Sequence, residues 1–362
     1  MITFIGNNAN EKTVSDGGRL KMRLFVNLLK KEGHEVGVID INGWKKHFVS
    51  IILKIKKAVK RGDNIVIMAG PKGCRVIIPL VTRFNKKHLS KIIFCPVGLG
   101  TVDYLLKDRS LSEIDGFVNC KDFLSIKDDK MKKCLSSFNY VCPENEIQEK
   151  LYKEYYSLTN IETIQNFRDI EIKEHLPISS DKCLKIIYAS RVKEYKGIIE
   201  LLEVINKINE TDSIKLTLDI YGDNQLTEDN NEKFKSMLNE NVRYNGIIST
   251  TDLQKKIRDY DLFCLPTKYY AEGTSGALVE ALIAGTPCLV SSYSQVDTLI
   301  KDGINGYIFK IDNKEDLKAK LIYIVDHKNE LQKISKNAQE SAEKFTYKYN
   351  RDKFLRIMAG VK

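Results

Sequence analysis

Two α/β domains, each built on a parallel β-sheet covered by helices on both faces, are the architecture that this sequence predicts. The chain has 362 residues, more than one hydrophobic core usually serves, so two domains are expected. Short apolar runs alternate with segments of helical periodicity in both halves, which is typical of such sheets. The stretch Asn166–Asp181 is polar and has no periodicity, and we place the domain boundary there.

The first half opens on a predicted strand at Ile2–Ile5, followed by a polar loop that ends at Gly17 and Gly18. A helix is predicted over Arg19–Lys31 because apolar residues recur there at helical spacing, and Gly33 ends it. Further strands are predicted at Val36–Ile39, Ile65–Met68, Ile92–Cys95, Gly116–Val118 and Tyr140–Cys142.

The second half repeats the alternation of strand and helix. Its predicted strands are Leu184–Ala189, Lys215–Tyr221, Val242–Tyr244, Leu262–Leu265, Pro287–Ser291 and Tyr307–Phe309. Its predicted helices are Ile198–Asn209, Asn231–Leu238, Thr251–Asp259, Gly276–Ala284, Gln295–Ile300 and Lys314–His327, with more helix from Leu331 onward.

The basic excess belongs almost wholly to the first half. The chain carries a formal charge of +10, of which residues 1–180 contribute +9 and residues 181–362 contribute +1. Such a patch suits nucleic acid, an anionic membrane or a diphosphate-bearing substrate. The basic half lacks interleaved aromatic residues and any known nucleic-acid module, so no nucleic-acid partner is predicted.

A basic amphipathic segment, Trp44–Arg61, lies in this half. Its apolar residues at helical spacing are Phe48, Ile51, Ile52, Ile55 and Val59, and five basic residues surround them. One interpretation is a core helix with a solvated basic face. The basic excess of the same half favours docking on an anionic inner leaflet, with a lipid-linked acceptor making that docking useful.

Eight cysteines lie singly, with no Cys-x-x-Cys pair, and several occupy apolar runs. They are interpreted as reduced thiols of a cytosolic protein. The chain begins on a strand, and no apolar run reaches membrane-spanning length, so we expect a cytoplasmic protein, peripheral on the inner face of the membrane if that docking holds. No histidines are spaced as metal ligands, and Asp259 and Asp261 are interpreted as boundary residues, so no metal is predicted.

The most informative segment is Pro266–Pro287, which lies between apolar strands at Leu262–Leu265 and Cys288–Ser291. Glu272 lies in a Gly-rich turn, and Glu280 lies about two turns into the following helix. Backbone N–H groups at a helix N-terminus attract phosphates. A carboxylate in the turn can accept hydrogen bonds from sugar hydroxyls, and one in the helix can accept a pair from a ribose diol. That combination suits a nucleotide-sugar.

This segment resembles the E-x7-E signature of the family 4 glycosyltransferases (glycosyltransferase group 1), among them bacterial surface-polysaccharide enzymes with the GT-B fold. The resemblance covers the whole second half and, more weakly, the first half. It implies two Rossmann-like domains that face a cleft, 1–165 on the acceptor side and 182–344 for the nucleotide-sugar. A C-terminal helix at about 345–362 is implied to cross back onto the first domain.

The resemblance extends to Ser190–Gly197, which follows the first strand of the second half. It implies that Arg191 and Lys196 hold the diphosphate, Arg by bidentate contacts and Lys as a point charge, although Ser190 replaces the family's usual Gly. Glu272 is implied to orient the transferred sugar, and Glu272, Arg191 and Lys196 are together the predicted catalytic residues. The donor-binding residues that the resemblance implies are Glu280, Gly273, Thr274, Ser275, Gly276, Gly222, Gly17 and Gly18.

The acceptor side departs from the family pattern. Cys95–Gly100 has no His where many members carry one, and Gln165 and Asn166 stand in place of a Pro-Asn pair. The implied function is transfer of a hexose from a nucleoside-diphosphate sugar to a carbohydrate or lipid-linked acceptor, with retention and with no metal or cofactor, in surface polysaccharide or glycoconjugate biosynthesis. The alternatives are a GT-B sugar-nucleotide epimerase or hydrolase, and a non-catalytic GT-B partner subunit.

Overall fold

The computed structural model describes residues 1–7, 17–97, 101, 128–170, 183–211, 214–269, 272, 274–293 and 296–360. The chain divides into two compact units. The first unit comprises Met1–Asp169 and Tyr347–Lys362, and the second comprises Ile170–Thr346. The first unit thus runs slightly past residue 165 and includes the end of the chain.

The first unit contains a five-stranded parallel sheet in the order β2-β1-β3-β4-β5. The strands are β1 (Ile2–Gly6), β2 (Val36–Asp40), β3 (Asn64–Met68), β4 (Ile92–Phe94) and β5 (Tyr140–Val141). The helices between them and after them are α1 (Gly17–Lys31), α2 (Phe48–Arg61), α3 (Pro71–Phe84), α4 (Asp129–Ser136) and α5 (Glu146–Tyr156). The predicted strand Gly116–Val118 lies outside the described residues.

The second unit contains a six-stranded parallel sheet in the order β11-β10-β9-β6-β7-β8. Its strands are β6 (Cys183–Ala189), β7 (Lys215–Tyr221), β8 (Val242–Tyr244), β9 (Leu262–Leu265), β10 (Cys288–Ser291) and β11 (Tyr307–Phe309). Its helices are α6 (Ile198–Thr211), α7 (Glu228–Ser236), α8 (Thr250–Lys256), α9 (Gly276–Ala284), α10 (Lys314–Asp326) and α11 (Leu331–Ala342). The last helix, α12 (Tyr347–Ala359), belongs to the first unit.

An aromatic cluster holds α12 within the first unit. The Phe25 ring of α1 lies 4.2 Å from the Phe354 ring of α12 and 5.1 Å from the Phe167 ring, measured between centroids. All three side chains are fully buried. Each contributes about 1.5–3 kcal/mol of apolar burial, so α12 is an integral part of this core.

The sheet of the second unit is buried on both faces because successive side chains of a strand point to opposite sides. Ile186 of β6 packs in one core with α6 and α10, and the adjacent Ile187 packs in another with α9 and α11. Both residues are fully buried. This arrangement explains the continuous apolar runs in the sequence.

Two predicted elements have different boundaries in the structure. Gly17 and Gly18 are the first residues of α1, where they were expected in the preceding loop. The helix predicted over Gln295–Ile300 is, in its described part, only a 3-10 turn at Val296–Thr298. The N–H groups of Leu299 and Ile300 both donate to the Val296 carbonyl, at 2.9 and 2.8 Å, so the turn does not continue as an α-helix.

The described cysteines are all free thiols. Cys95, Cys264 and Cys288 are buried, as their positions in apolar runs predicted, whereas Cys183 is only partly buried. Cys120 lies outside the described residues. Within the part of the chain that the structure describes, no helix is both long enough and apolar enough to cross a membrane.

Gly197 marks a close approach between the loop after β6 and the residue that follows β9. Its φ is +71°, and a Cβ at this position would lie 1.9 Å from the carbonyl oxygen of Pro266. Any side chain would therefore combine left-handed backbone strain with a clash against main chain. Glycine is required here because two loops at the carboxyl edge of the sheet touch.

We expect Gly197→Ala to lower the free energy of unfolding of the second unit by about 3 kcal/mol or more, from strain and overpacking together. Gly303→Ala is the matched control, since Gly303 has the same φ of +71° but open space where a Cβ would lie. The control should cost only about 1 kcal/mol. Urea denaturation of both variants measures the difference, and equal losses would contradict a steric role for Gly197.

Candidate active site

A nearly buried ion pair joins two loops at the carboxyl ends of β6 and β9. Lys196 Nζ donates a hydrogen bond to Glu272 Oε2 at 2.5 Å. The side chains are 6% and 13% exposed, so little solvent screens the pair. The structure thus brings together two of the three residues predicted to be catalytic, although 76 positions separate them in the chain.

Backbone and side-chain bonds fix the position of this pair. The N–H of Lys268 donates to the Tyr195 carbonyl at 2.8 Å, which ties the residues after β9 to the turn that carries Lys196. The hydroxyl of Thr267 lies 3.3 Å from both the Tyr195 carbonyl and Glu272 Oε2. The Ser291 hydroxyl, at the end of β10, donates to the Thr267 carbonyl at 2.5 Å. Groups at three neighbouring strand ends therefore position the two charged side chains.

Arg191 differs from Lys196 in its surroundings. Its side chain is exposed, and its carbonyl accepts a hydrogen bond from the buried Tyr188 hydroxyl at 2.9 Å. Among the described residues its guanidinium has no ion-pair partner. The main chain at Arg191 is thus anchored while its side chain stays in solvent, free to contact an anion.

Helix α9 begins beside this loop. Ser275 is its N-cap residue and makes no side-chain capping bond, and Gly276 is its first residue. Thr274, just before, is buried. Glu280 is 4% exposed and lies just over one turn from the start of α9, not two turns as predicted, because α9 begins only at Gly276.

The remaining predicted donor-binding residues are glycines. A Cβ at Gly222, whose φ is +147°, would lie 1.8 Å from the Ser190 carbonyl oxygen, so close packing of two loops accounts for this glycine. Gly17 and Gly18 form the first turn of α1 in the other unit. Gly273 lies outside the described residues. The assignment of these glycines to a donor site stays a prediction.

Sequence reasoning missed Tyr293, which lies two residues past β10. Its side chain is 2% exposed, and its hydroxyl has no hydrogen-bond partner among the described residues. Burial raises the pKa of Tyr293 well above its usual value, and the nearby Glu272 carboxylate raises it further. Thr267, Ser291 and Tyr293 all lie at or just past strand ends, and that shared position is the signal that could have identified them.

The Asp259-Tyr260-Asp261 triplet serves the fold. Asp261 Oδ2 accepts the backbone N–H of Lys185 at 2.9 Å and lies 3.4 Å from Lys328 Nζ. The Tyr260 hydroxyl donates to Asp219 at 2.8 Å. Asp261, just before β9, therefore links β6 to the 3-10 turn Lys328–Glu330 that precedes α11, which agrees with its interpretation as a boundary residue.

Glu194 anchors the loop that carries Lys196. Its Oε1 accepts the N–H of Thr227, the N-cap residue of α7, at 2.8 Å, the Thr227 hydroxyl at 3.1 Å and the Asn230 amide at 3.2 Å. These bonds, the Thr227 N–H above all, lower the pKa of Glu194 to about 2. The carboxylate thus caps α7 and fixes the turn after β6 at once.

Comparison with known families identifies the second unit. Residues 169–341, nearly the whole of this unit, match the family described as Glycosyl transferases group 1. The resemblance inferred from Glu272 and Glu280 is therefore confirmed at the level of the family.

Two relatives have names that state a glycosyltransferase activity. A poly(ribitol-phosphate) α-N-acetylglucosaminyltransferase of Staphylococcus aureus is 27% identical over 328 residues, 88% of this chain and 60% of the relative. A UDP-Gal:α-D-GlcNAc-diphosphoundecaprenol α-1,3-galactosyltransferase of Escherichia coli is 25% identical over 211 residues, 55% of this chain and 54% of the relative. The chain thus spans little more than half the length of these relatives.

A solved structure matches the whole chain in fold. Anabaena HepE in complex with UDP and glucose has a TM-score of 0.69 at 14% identity, with 99% of this chain and 100% of that chain covered. The two parallel-sheet units therefore have the GT-B fold, as the sequence predicted.

The lowered pKa of Glu194 predicts a loss of stability in acid. A carboxylate whose folded pKa is depressed stabilises the fold above its ordinary pKa of 4.5, and this contribution is lost as the pH falls from 4.5 toward about 2. After discounting for partial exposure, about 1–2 kcal/mol is at stake. We expect Glu194→Gln to lose this amount near neutral pH and to approach the wild type at about pH 3.

Urea denaturation at the two pH values measures the effect. Glu315→Gln, at an exposed position on α10, controls for the loss of one carboxylate. A Glu194→Gln deficit that is equally large at both pH values would contradict the assignment.

Proposed function

We propose that this protein transfers a hexose from a nucleoside-diphosphate sugar to a carbohydrate or lipid-linked carbohydrate acceptor, with retention of configuration and without a metal, in the biosynthesis of a surface polysaccharide or glycoconjugate. The observation that carries the proposal is the Lys196–Glu272 pair, held at the carboxyl ends of β6 and β9 beside the start of α9. Ligands of open α/β sheets bind at this edge. The family of the second unit and the names of the two relatives support the class of reaction.

The donor diphosphate would lie against Lys196 and Arg191. Arg191 is exposed and can form a bidentate contact with a phosphate, whereas Lys196 offers a fixed positive charge from a site with little solvent. The N-terminus of α9 adds backbone N–H groups near Ser275 and Gly276. Glu280, inside α9, would accept hydrogen bonds from the ribose diol. The HepE complex with UDP, a protein of the same fold, is consistent with a nucleotide of this class.

The reaction would proceed by substitution on one face of the sugar. The bond between C1 and the phosphate oxygen breaks, the acceptor oxygen bonds to C1 on the same face, and the acceptor proton passes to the departing phosphate oxygen. The sugar resembles an oxocarbenium ion at the transition state, while negative charge grows on the diphosphate. Lys196, Arg191 and the α9 N-terminus would stabilise that charge, which is the main way such a site accelerates transfer.

Glu272 has two roles in this scheme. Before the donor binds, it balances the buried charge of Lys196, which would otherwise be costly to leave unpaired. When the diphosphate takes over that balance, the Glu272 carboxylate can accept hydrogen bonds from hydroxyls of the transferred sugar. The carboxylate would thereby orient the sugar for attack.

The two carboxylates should have separable effects. Glu280→Gln should weaken binding of UDP or another nucleoside diphosphate by about 1.5–3 kcal/mol, the range for hydrogen bonds to a charged group. Glu272→Ala should lower turnover and leave binding of the bare diphosphate nearly intact. Calorimetry measures the affinity of both variants for the nucleoside diphosphate. Glu340→Gln, at an exposed position on α11, is the control. Unchanged affinity in Glu280→Gln would rule out its ribose role.

The cations should act in place of a metal. We expect full activity in EDTA, and a fall in turnover of about 100-fold for Lys196→Ala and less for the exposed Arg191. Lys193→Ala, in the same loop, is the matched control. Activity that is lost on chelation and restored by Mg²⁺ or Mn²⁺ would contradict this mechanism.

Product analysis decides between transfer and the other reactions of this fold. Release of nucleoside diphosphate that depends on the acceptor, with the sugar recovered in the acceptor, is the expected result. Donor consumption that is independent of acceptor would indicate an epimerase or hydrolase, and an intact donor would indicate a non-catalytic subunit.

A further inference from the structure

The positive charge of the chain is concentrated in one stretch, residues 41–91, which contains α2 and α3. It holds 13 basic residues and one acidic residue, Asp63, a net charge of +12, whereas the whole chain carries +10. Asp63 is 3% exposed and is paired with Arg61 at 2.7 Å. Nearly all of the basic side chains of this stretch are exposed. Because its one carboxylate is buried, no exposed carboxylate of the stretch offsets their charge.

Helix α2 turns a mixed apolar and basic face to solvent. It packs inward through Ile51, Ile55 and Ala58. On its outer side Val49 is 71% exposed and Leu53 is 60% exposed, both unusual values for large apolar residues. At 3.6 residues per turn, the outer residues Val49, Leu53, Lys56, Lys57 and Lys60 fall within an arc of about 100°.

The basic surface continues onto the neighbouring helix. The Lys56 ammonium lies 5.1 Å from the centre of the Phe84 ring, which places the end of α3 beside α2. Arg83, Lys86 and Lys87, all within three positions of Phe84 in the chain, are exposed. The face therefore has two exposed apolar side chains set among cations from two helices, which we call the α2–α3 face.

We propose that the α2–α3 face binds the surface of an anionic lipid bilayer, with Val49 and Leu53 inserted among the acyl chains and the lysines against the headgroup phosphates. Charge complementarity favours an anionic partner, and the apolar pair favours lipid over a soluble polyanion, which would leave Val49 and Leu53 in water. The residues that the sequence suggested for the apolar side, such as Ile51 and Ile55, face the protein core and take no part. Only the biological purpose of this binding, which is access to a lipid-linked acceptor, rests on the proposed function.

Sedimentation of the full-length protein with vesicles tests this inference. Binding should require phosphatidylglycerol in phosphatidylcholine vesicles and should fall as salt is raised. Changing Lys56, Lys57 and Lys60 to Gln should lower the partition coefficient about 100-fold, since each surface cation is worth roughly a factor of five. Val49→Ser with Leu53→Ser should lower it about tenfold.

Matched controls lie in the second unit. Lys207, Lys235 and Lys255 are exposed there and are changed to Gln together, and Ile304, 57% exposed, is changed to Ser. Both controls should bind vesicles as the wild type does. Circular dichroism of each variant confirms that it is folded.

Three results would overturn the inference. The first is no binding to either kind of vesicle, and the second is equal binding to neutral and anionic vesicles. The third is undiminished vesicle binding by the Val49/Leu53 variant together with full competition by polyphosphate. That third result would show a site for polyanions. Transfer to a soluble acceptor is measured in parallel. Transfer without vesicle binding overturns this inference alone, and vesicle binding without transfer overturns the proposed function alone.

Discussion

The contact between the turn after β6 and the residues after β9 determines the geometry of the second unit's candidate site. Gly197 permits the two main chains to touch at Pro266, and the Lys268 N–H bonds to the Tyr195 carbonyl beside it. Only because these loops are in contact can Lys196 reach Glu272. Backbone packing therefore sets the positions of these two charged side chains, and a change in either loop would displace both of them.

An ion pair with so little exposure is a weak source of stability, because desolvation of the two charges offsets most of their attraction. The position of the pair is better explained as preorganisation of a cation for binding a diphosphate. Lys196 is held without a diphosphate by Glu272, and the loop that carries it is fastened from the other side by Glu194. A cation that is already in place costs little reorganisation when charge develops next to it.

The sequence was sufficient to predict the sheet architecture, because buried parallel strands are continuous apolar runs. It also showed that Glu272 and Glu280 lie between two such runs, and their roles in binding a donor stay predictions. It could not reveal that Lys196 pairs with Glu272, since that contact depends on the tertiary approach of distant loops. Gly222 was predicted to bind the donor, and that role stays a prediction, because close packing against the Ser190 main chain already accounts for the glycine. Periodicity identified the buried side of α2 but did not single out Val49 and Leu53. A helical pattern shows which residues share a face, and it does not show which apolar residues of the outer face stay exposed.

The uneven distribution of charge along the chain also has a kinetic consequence. Residues 41–91 carry +12, so the other 311 residues together carry −2. The far field of the first unit thus originates mainly from the neighbourhood of α2 and α3, and it would rotate the molecule to present that side to a negative surface before any contact forms. At physiological ionic strength this torque acts only within about 8 Å, so the rate of productive encounter would change with salt more steeply than the lifetime of the docked state, which also depends on apolar contacts.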